Sequence, residues 1–291
     1  MKFLIIGDLH GNKPNIYYKD FDAIIAPGDF CSSEARPFMF QAMKKNFENP
    51  KNKVDWWDVA GKTKAKKLIK QSLKSGREIL EFLDSFGVPV YLVPGNNDWV
   101  YQKKASWDFL NKNYYLDLKK NLKNVRDLNK KILKIKDYDI LGYGINCGPE
   151  YPQYKRDMKS YSVSKLKKSK QKYKQLLQKY DKLFKKSKGP LIFLSHNVPF
   201  DTQIDKIVNK DSPRNGDHFG SLLTRKMIEK YQPLVCIGGH MHEHFGKCKI
   251  RKTTCINSGY GSYVNTLMEL EGNKIKKLEF KYGKKGKYNP Y

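Results

Sequence analysis

The chain has 291 residues, 39% of them apolar, enough for a sizeable core arranged as one large domain or two small ones. No stretch approaches eighteen continuous apolar residues, and the apolar run of "MKFLIIGDLHG" meets Asp8 at once, so neither a membrane-spanning helix nor a signal peptide is expected. The formal net charge is +28, yet all but seven of the 57 basic residues are lysines, which suits a solvated, anion-attracting surface better than an arginine-based reader of nucleic acid.

The chain alternates between β and α and becomes richer in β toward its end. "KFLII" (2–6) and "FDAIIA" (21–26) are short, continuously apolar strands. Residues 64–86 carry Ala65, Leu68, Ile69, Leu73, Ile79, Leu80, Leu83 and Phe86 at helical spacing on one face. "VPVYLV" (88–93) is a third strand, and residues 131–144 predict a hairpin across Asp137. "PLIFLS" (190–195) is a further buried strand, residues 219–231 a helix and "PLVCIGG" (233–239) a strand. Residues 249–281 predict several strands separated by turns, one of them the "NSGYG" at 257–261.

Residues 151–188 stand apart, with 14 basic residues against only Asp157 and Asp181. Leu166, Tyr173, Leu176, Leu177, Tyr180, Leu183 and Phe184 form a single apolar stripe there. Such a stripe fits a surface helix whose other face lysine keeps solvated; the alternative is a basic arm over nucleic acid or a membrane surface. With no internal repeat and no linker, the expectation is one domain over 1–291 with a lysine-rich helical insertion at about 151–188. Cys31, Cys147, Cys236, Cys248 and Cys255 are scattered and contain no CxxC pair, which suits reduced thiols in a cytoplasmic protein.

Five apolar strands share one construction: a glycine or small residue follows the strand, and then a nitrogen or oxygen ligand. Asp8 and His10 follow "KFLII", and Asp29 follows "FDAIIAP". Asn96, Asn97 and Asp98 follow "VPVYLVP", His196 follows "PLIFL", and His240 and His242 follow "PLVCI". Functional groups of α/β sheets collect beyond the carboxyl ends of the strands. Convergence of these five ends would make a cleft suited to borderline divalent metals, with more ligands than one tetrahedral ion takes. In an extended segment the outer residues of "DLH" and "HMH" would point the same way, toward one metal cluster. Taken singly, each piece is an ordinary turn signal or a structural histidine.

In this order the motifs resemble those of the calcineurin-like metallophosphoesterases: Asp8-Leu9-His10, Gly28-Asp29, Gly95-Asn96-Asn97-Asp98, His196 and Gly239-His240-Met241-His242. The segment "HFGSLLTRKMIEKYQPLVCIGGHMHE" is similar to archaeal and bacterial cytoplasmic members. The resemblance implies a four-layer α-β-β-α sandwich of two stacked mixed sheets flanked by helices. It also implies two divalent ions, Mn foremost and Fe, Zn, Ni or Co as alternatives. One ion would take Asp8, His10, Asp29 and His242, the other Asp29, Asn96, His196 and His240. A metal-bridging hydroxide would then attack a phosphodiester or phosphomonoester. Many members carry a general-acid His where this chain has Asn97, which can bond a phosphate oxygen but cannot give up a proton.

His218, in the polar loop "RNGDHFGS", is the candidate substitute acid or phosphate contact; otherwise it is a solvated loop residue. Asp98 is expected to orient neighbouring ligands, His244 to lie at or near the surface, and Cys31 and Cys236 to be packing thiols. The expected partner is an anionic phosphate-ester substrate, without membrane insertion. Two other readings compete: a nuclease gripping nucleic acid through the basic surface, and a non-catalytic interaction module on the same fold.

Overall fold

The computed structural model describes residues 1–283 except positions 50, 102, 160, 209, 211 and 213, and of Phe47 only the backbone. In chain order, β1 (Lys2–Ile5) and β2 (Ala23–Ala26) are followed by α1 (Arg36–Glu48), α2 (Trp56–Ala60) and α3 (Lys62–Asp84). Next come β3 (Val90–Leu92), α4 (Tyr114–Leu118), β4 (Val125–Asp127), β5 (Ile132–Ile135) and β6 (Tyr138–Tyr143). α5 (Lys155–Met158) and α6 (Val163–Phe184) lead to β7 (Leu191–Asn197), α7 (Leu222–Tyr231) and β8 (Val235–Gly239). Four strands close the chain: β9 (Gly246–Ile250), β10 (Thr253–Asn257), β11 (Val264–Glu271) and β12 (Lys274–Tyr282).

The strands form two six-stranded sheets, in the orders β12-β11-β1-β2-β3-β4 and β5-β6-β7-β8-β10-β9. The central pairs β1–β2, β2–β3, β6–β7 and β7–β8 are parallel, so the strands within each set send their carboxyl ends the same way. Antiparallel pairs lie outside them: β1–β11, β11–β12, β5–β6 and β9–β10.

Alternation along the strands decides what fills the layers. Phe3, Ile5, Ile25 and Tyr91 of the first sheet meet Ile140, Ile192, Leu194, Ile237 and Ile256 of the second between the sheets. Leu4, Ile24 and Leu92 point outward onto Ile79, Leu80 and Leu83 of α3 and Tyr115 and Leu118 of α4. On the far side, Leu141, Phe193 and Cys236 pack against Tyr180 and Phe184 of α6 and Leu223, Met227 and Ile228 of α7. The result is the expected four-layer α-β-β-α sandwich.

The stretch 151–188 contains α5 and α6 and forms the crossover between parallel β6 and β7, a connection that such a pair requires. Its apolar stripe lies on the second sheet, and Lys165, Lys167, Lys168, Lys170, Lys172 and Lys174 are exposed. Four elements have no counterpart in the sequence reading: α1, α2, α4 and β4.

Candidate metal centre

β1, β2, β3, β7 and β8 carry the motif residues at or just beyond their carboxyl ends. The chain leaving β1 stays paired to the chain leaving β2: Asp8 donates its N–H to the Gly28 carbonyl (2.8 Å), His10 to Asp29 (2.9 Å) and Gly11 to Phe30 (2.8 Å). His196 lies on β7 itself rather than past its end.

The extended geometry expected for "DLH" and "HMH" is not what forms. Asp8, His10, Asp29 and His240 have φ of 51°, 45°, 55° and 67°, the left-handed region that costs non-glycine residues free energy. Packing enforces these turns. A Cβ on Gly239 would strike the Asp8 carboxylate, and one on Gly95 the Asp29 carboxylate, so only glycine allows the close approach. Asp98, fully buried, fixes the second loop. Its oxygens accept N–H groups from Gly95 (2.7 Å), Phe30 (2.8 Å), Asp29 (2.9 Å) and Cys31 (3.1 Å).

Two groups of side chains result, each able to hold a metal ion: Asp8, His10 and His242, and Asp29, His196 and His240, with donor atoms within 4.8 Å of one another in each. The outer histidines of "HMH" therefore serve different groups. Asp29 sits between them, its Oδ2 3.6 Å from His10 Nε2 and its Oδ1 3.8 Å from His196 Nε2. Asn96 Oδ1 lies 2.9 Å from His196 Nε2.

The donors fit divalent cations. His196 donates its Nδ1–H to the Pro27 carbonyl (2.8 Å), so in the neutral ring Nε2 carries a lone pair. That lone pair faces the Asn96 oxygen and the Asp29 carboxylate, three acceptors converging on one point as a divalent cation requires. In the other group His10 Nε2 and His242 Nε2 lie 3.1 Å apart, with Asp8 Oδ1 3.3 Å from His242 Nε2. His10 Nδ1 is buried without a hydrogen-bond partner.

Burial lowers His10 to about 4 against the pull of Asp29, and burial together with His196 lowers His240 to about 3; both rings are neutral and ready to bind metal at pH 7. Burial would raise Asp29, but His196, His10, the Asn97 N–H and His240 outweigh it and hold the carboxyl below its ordinary value. His242 is raised: burial lowers it, and its bond to Asp8 and the Asp8 and Asp29 charges more than reverse that. Burial and Asp29 push Asp98 up to about 6 against its backbone donors.

Asn97 donates both its backbone N–H (2.8 Å) and its side-chain Nδ2–H (2.6 Å) to the Asp29 carboxylate. His218 belongs to neither group. Its Nδ1 lies 2.7 Å from Oδ1 of buried Asp205 and its Nε2 3.7 Å from Asp201. His244 donates Nε2–H to the Lys206 carbonyl (2.6 Å), and Cys31 and Cys236 are fully buried. Tyr260 and Asn12 were missed. The Tyr260 ring lies 5.6 Å from His242 and 6.2 Å from His10, and its hydroxyl accepts from Asn12 Nδ2 (2.8 Å). Only the glycines flanking Tyr260 in "NSGYG" hinted at a turn there, and nothing in the spacing aimed it at the histidines.

The family profile described as calcineurin-like phosphoesterase matches residues 1–244. No curated protein matches the sequence. One solved crystal structure, 13% identical, covers 97% of this chain and 98% of its own with a TM-score of 0.62, a likeness of fold. Two others match more loosely: a protein of Thermus thermophilus, TT1561 (13% identity, 97% and 98% covered, TM-score 0.48), and a dimetal phosphatase from Danio rerio (12% identity, 96% and 98% covered, TM-score 0.45).

Proposed function

The chain belongs to the calcineurin-like phosphoesterases, and from that premise we propose that it is a dimetal-dependent hydrolase of a phosphodiester or phosphomonoester. The observation that carries this reading is the pair of His/Asp donor groups meeting at Asp29. Asp8, His10, Asp29 and His242 would hold one ion, and Asp29, Asn96, His196 and His240 the other. When bound, two such ions supply Lewis acidity that activates water and offsets charge on the phosphoryl oxygens.

The protein groups have separable tasks. Asn97 orients the shared Asp29 carboxylate through two hydrogen bonds and cannot protonate a leaving oxygen. His218 is the proposed acid: Asp205 fixes its Nδ1 and leaves Nε2 to carry the proton. The basic surface draws in an anionic substrate.

Hydrolysis of bis-p-nitrophenyl phosphate and p-nitrophenyl phosphate with added Mn²⁺, and again after chelation, tests the proposal. Metal-dependent turnover that disappears in His240→Ala is expected, and the faster ester identifies the substrate class. His218→Ala should lower turnover while bound metal is retained; unchanged turnover removes His218 from the mechanism. Absence of turnover on either ester with two ions bound would instead favour the interaction module. The exposed lysines of α6 support a second reading, a nuclease, for which cleavage of an oligonucleotide should weaken steeply with rising salt.

A further inference from the structure

Three of the five cysteines line up across adjacent strands on the outer face of the second sheet. Cys236 on β8 is the register partner of Cys255 on β10, and Cys255 is the direct antiparallel partner of Cys248 on the edge strand β9. Residues directly opposite in an antiparallel pair have Cα atoms about 4.5–5.5 Å apart. That separation lies inside the roughly 4.4–6.8 Å that a disulfide spans. Direct register pairing also puts both side chains on the same face of the sheet, in the cluster under α6 and α7.

The two differ in access and in chemistry. Cys255 is fully buried, whereas Cys248 is half-buried and lines an open cavity of about 510 Å³ with Asp201, Thr202, Arg225, Glu229 and Arg251. The neighbouring Cys255 lowers the Cys248 pKa, with help from Thr202 and Arg225 against burial and Asp205. The neighbouring Cys248, and burial, raise Cys255; burial raises Cys236, which lies fully inside. One accessible thiol of lowered pKa thus stands beside one protected thiol.

We propose that Cys248 and Cys255 form a dithiol–disulfide couple, in which Cys248 attacks a low-molecular-weight disulfide entering the cavity and Cys255 resolves the product. The Cys248 thiolate attacks one sulfur of R–S–S–R, a Cys248–S–R bond forms, and RS⁻ leaves. Cys255 passes its proton to that RS⁻, and its sulfur then attacks Cys248 Sγ and displaces the second RS⁻, which takes a proton from water. The protein gives up two electrons in all, and the small disulfide is reduced to two thiols. The charged cavity lining, Arg225 and Arg251 with Asp201 and Glu229, suits a disulfide bearing both carboxylate and ammonium groups. The couple also sits at the root of the loop carrying His240 and His242: β9 opens at Gly246, and Asn257, which ends β10, donates to the Met241 carbonyl (2.9 Å).

Glutathione disulfide is the probe, applied to the folded full chain in a Cys147→Ser background so that the exposed thiol does not compete. Peptide mapping should find a Cys248–Cys255 cross-link reversed by dithiothreitol, with no lasting glutathione on Cys248. Cys255→Ala should accumulate one glutathione per chain on Cys248, and Cys248→Ala should leave Cys255 unmodified. Stable glutathione on Cys248 in the presence of Cys255, or no reaction at either thiol until urea unfolds the chain, overturns the proposal.

Discussion

Asp98 shows how a residue that follows a motif can build it. Its carboxylate takes the N–H groups of Gly95, Asp29, Phe30 and Cys31, so one side chain joins the loops after β2 and β3 and holds Asp29 in its left-handed turn. Asp98→Ala strips four buried donors of their acceptor, which should destabilise the chain by at least about 3 kcal/mol. Urea unfolding measures that loss, and metal analysis should find both ions bound less well; a variant as stable as the parent contradicts the role. Asp8, Asp29 and the four histidines were legible because each follows or ends an apolar strand, and five strand ends in one sheet system have one place to converge. The turns themselves were not. Left-handed φ at Asp8 or His240 comes from contacts with residues 232 positions away, such as the His240 N–H to Asp8 Oδ2 bond (2.9 Å), and no local pattern encodes it.

At the scale of elements, α6 separates packing from charge. Tyr180 is fully buried against β6, its hydroxyl donating to the Gly142 carbonyl (3.2 Å), while Lys165, Lys168 and Lys172 stay in solvent on the same helix. Tyr180→Ala should therefore cost about 3–5 kcal/mol by analogy with other buried aromatic truncations. The triple change Lys165→Glu, Lys168→Glu and Lys172→Glu should move the midpoint of thermal unfolding by no more than about 4 °C. Thermal denaturation of both variants checks this; a large loss in the triple variant would mean the lysine face is packed against something. The stripe that announced α6 works because its intervals repeat over six turns. α1 gave a weaker signal: Met39, Phe40 and Met43 are exposed and Ala42 is buried, so its described apolar residues do not fall on one buried stripe. α2, with five residues, and β4, with three, are too short to show a period.

For the whole molecule, the buried histidines set a pH dependence whose sign can be worked out. His10 and His240 have folded values of about 4 and about 3, below the ordinary 6.5 of the unfolded chain. Between those values the unfolded chain binds protons that the folded one does not, so the metal-free protein loses stability as pH falls from about 6.5 toward 4. His10 alone would contribute about 3 kcal/mol over its window. His242 and Asp98 act the other way: their raised values add stability at low pH that is lost as pH rises through them, but Asp98, at about 6, begins to take up its proton only below the 6.5 at which the two lowered histidines begin to cost stability. Asp29, held low, loses its contribution only at more acidic pH. The net charge of +28 adds self-repulsion that also grows as carboxylates protonate, but salt screens repulsion between exposed charges far more than it affects a buried imidazole. Urea unfolding with chelator at pH 7 and pH 5, at low and high salt, separates the two terms. A loss at pH 5 that survives high salt and shrinks in His10→Asn is the expected result, whereas a loss abolished by salt would assign the effect to the surface. With Mn²⁺ present the pH 7 stability should rise with metal concentration, because ions that bind only the folded chain stabilise it by mass action. That gain should fade toward pH 5 as protons compete for His242, whose raised pKa makes it protonate before His10 and His240.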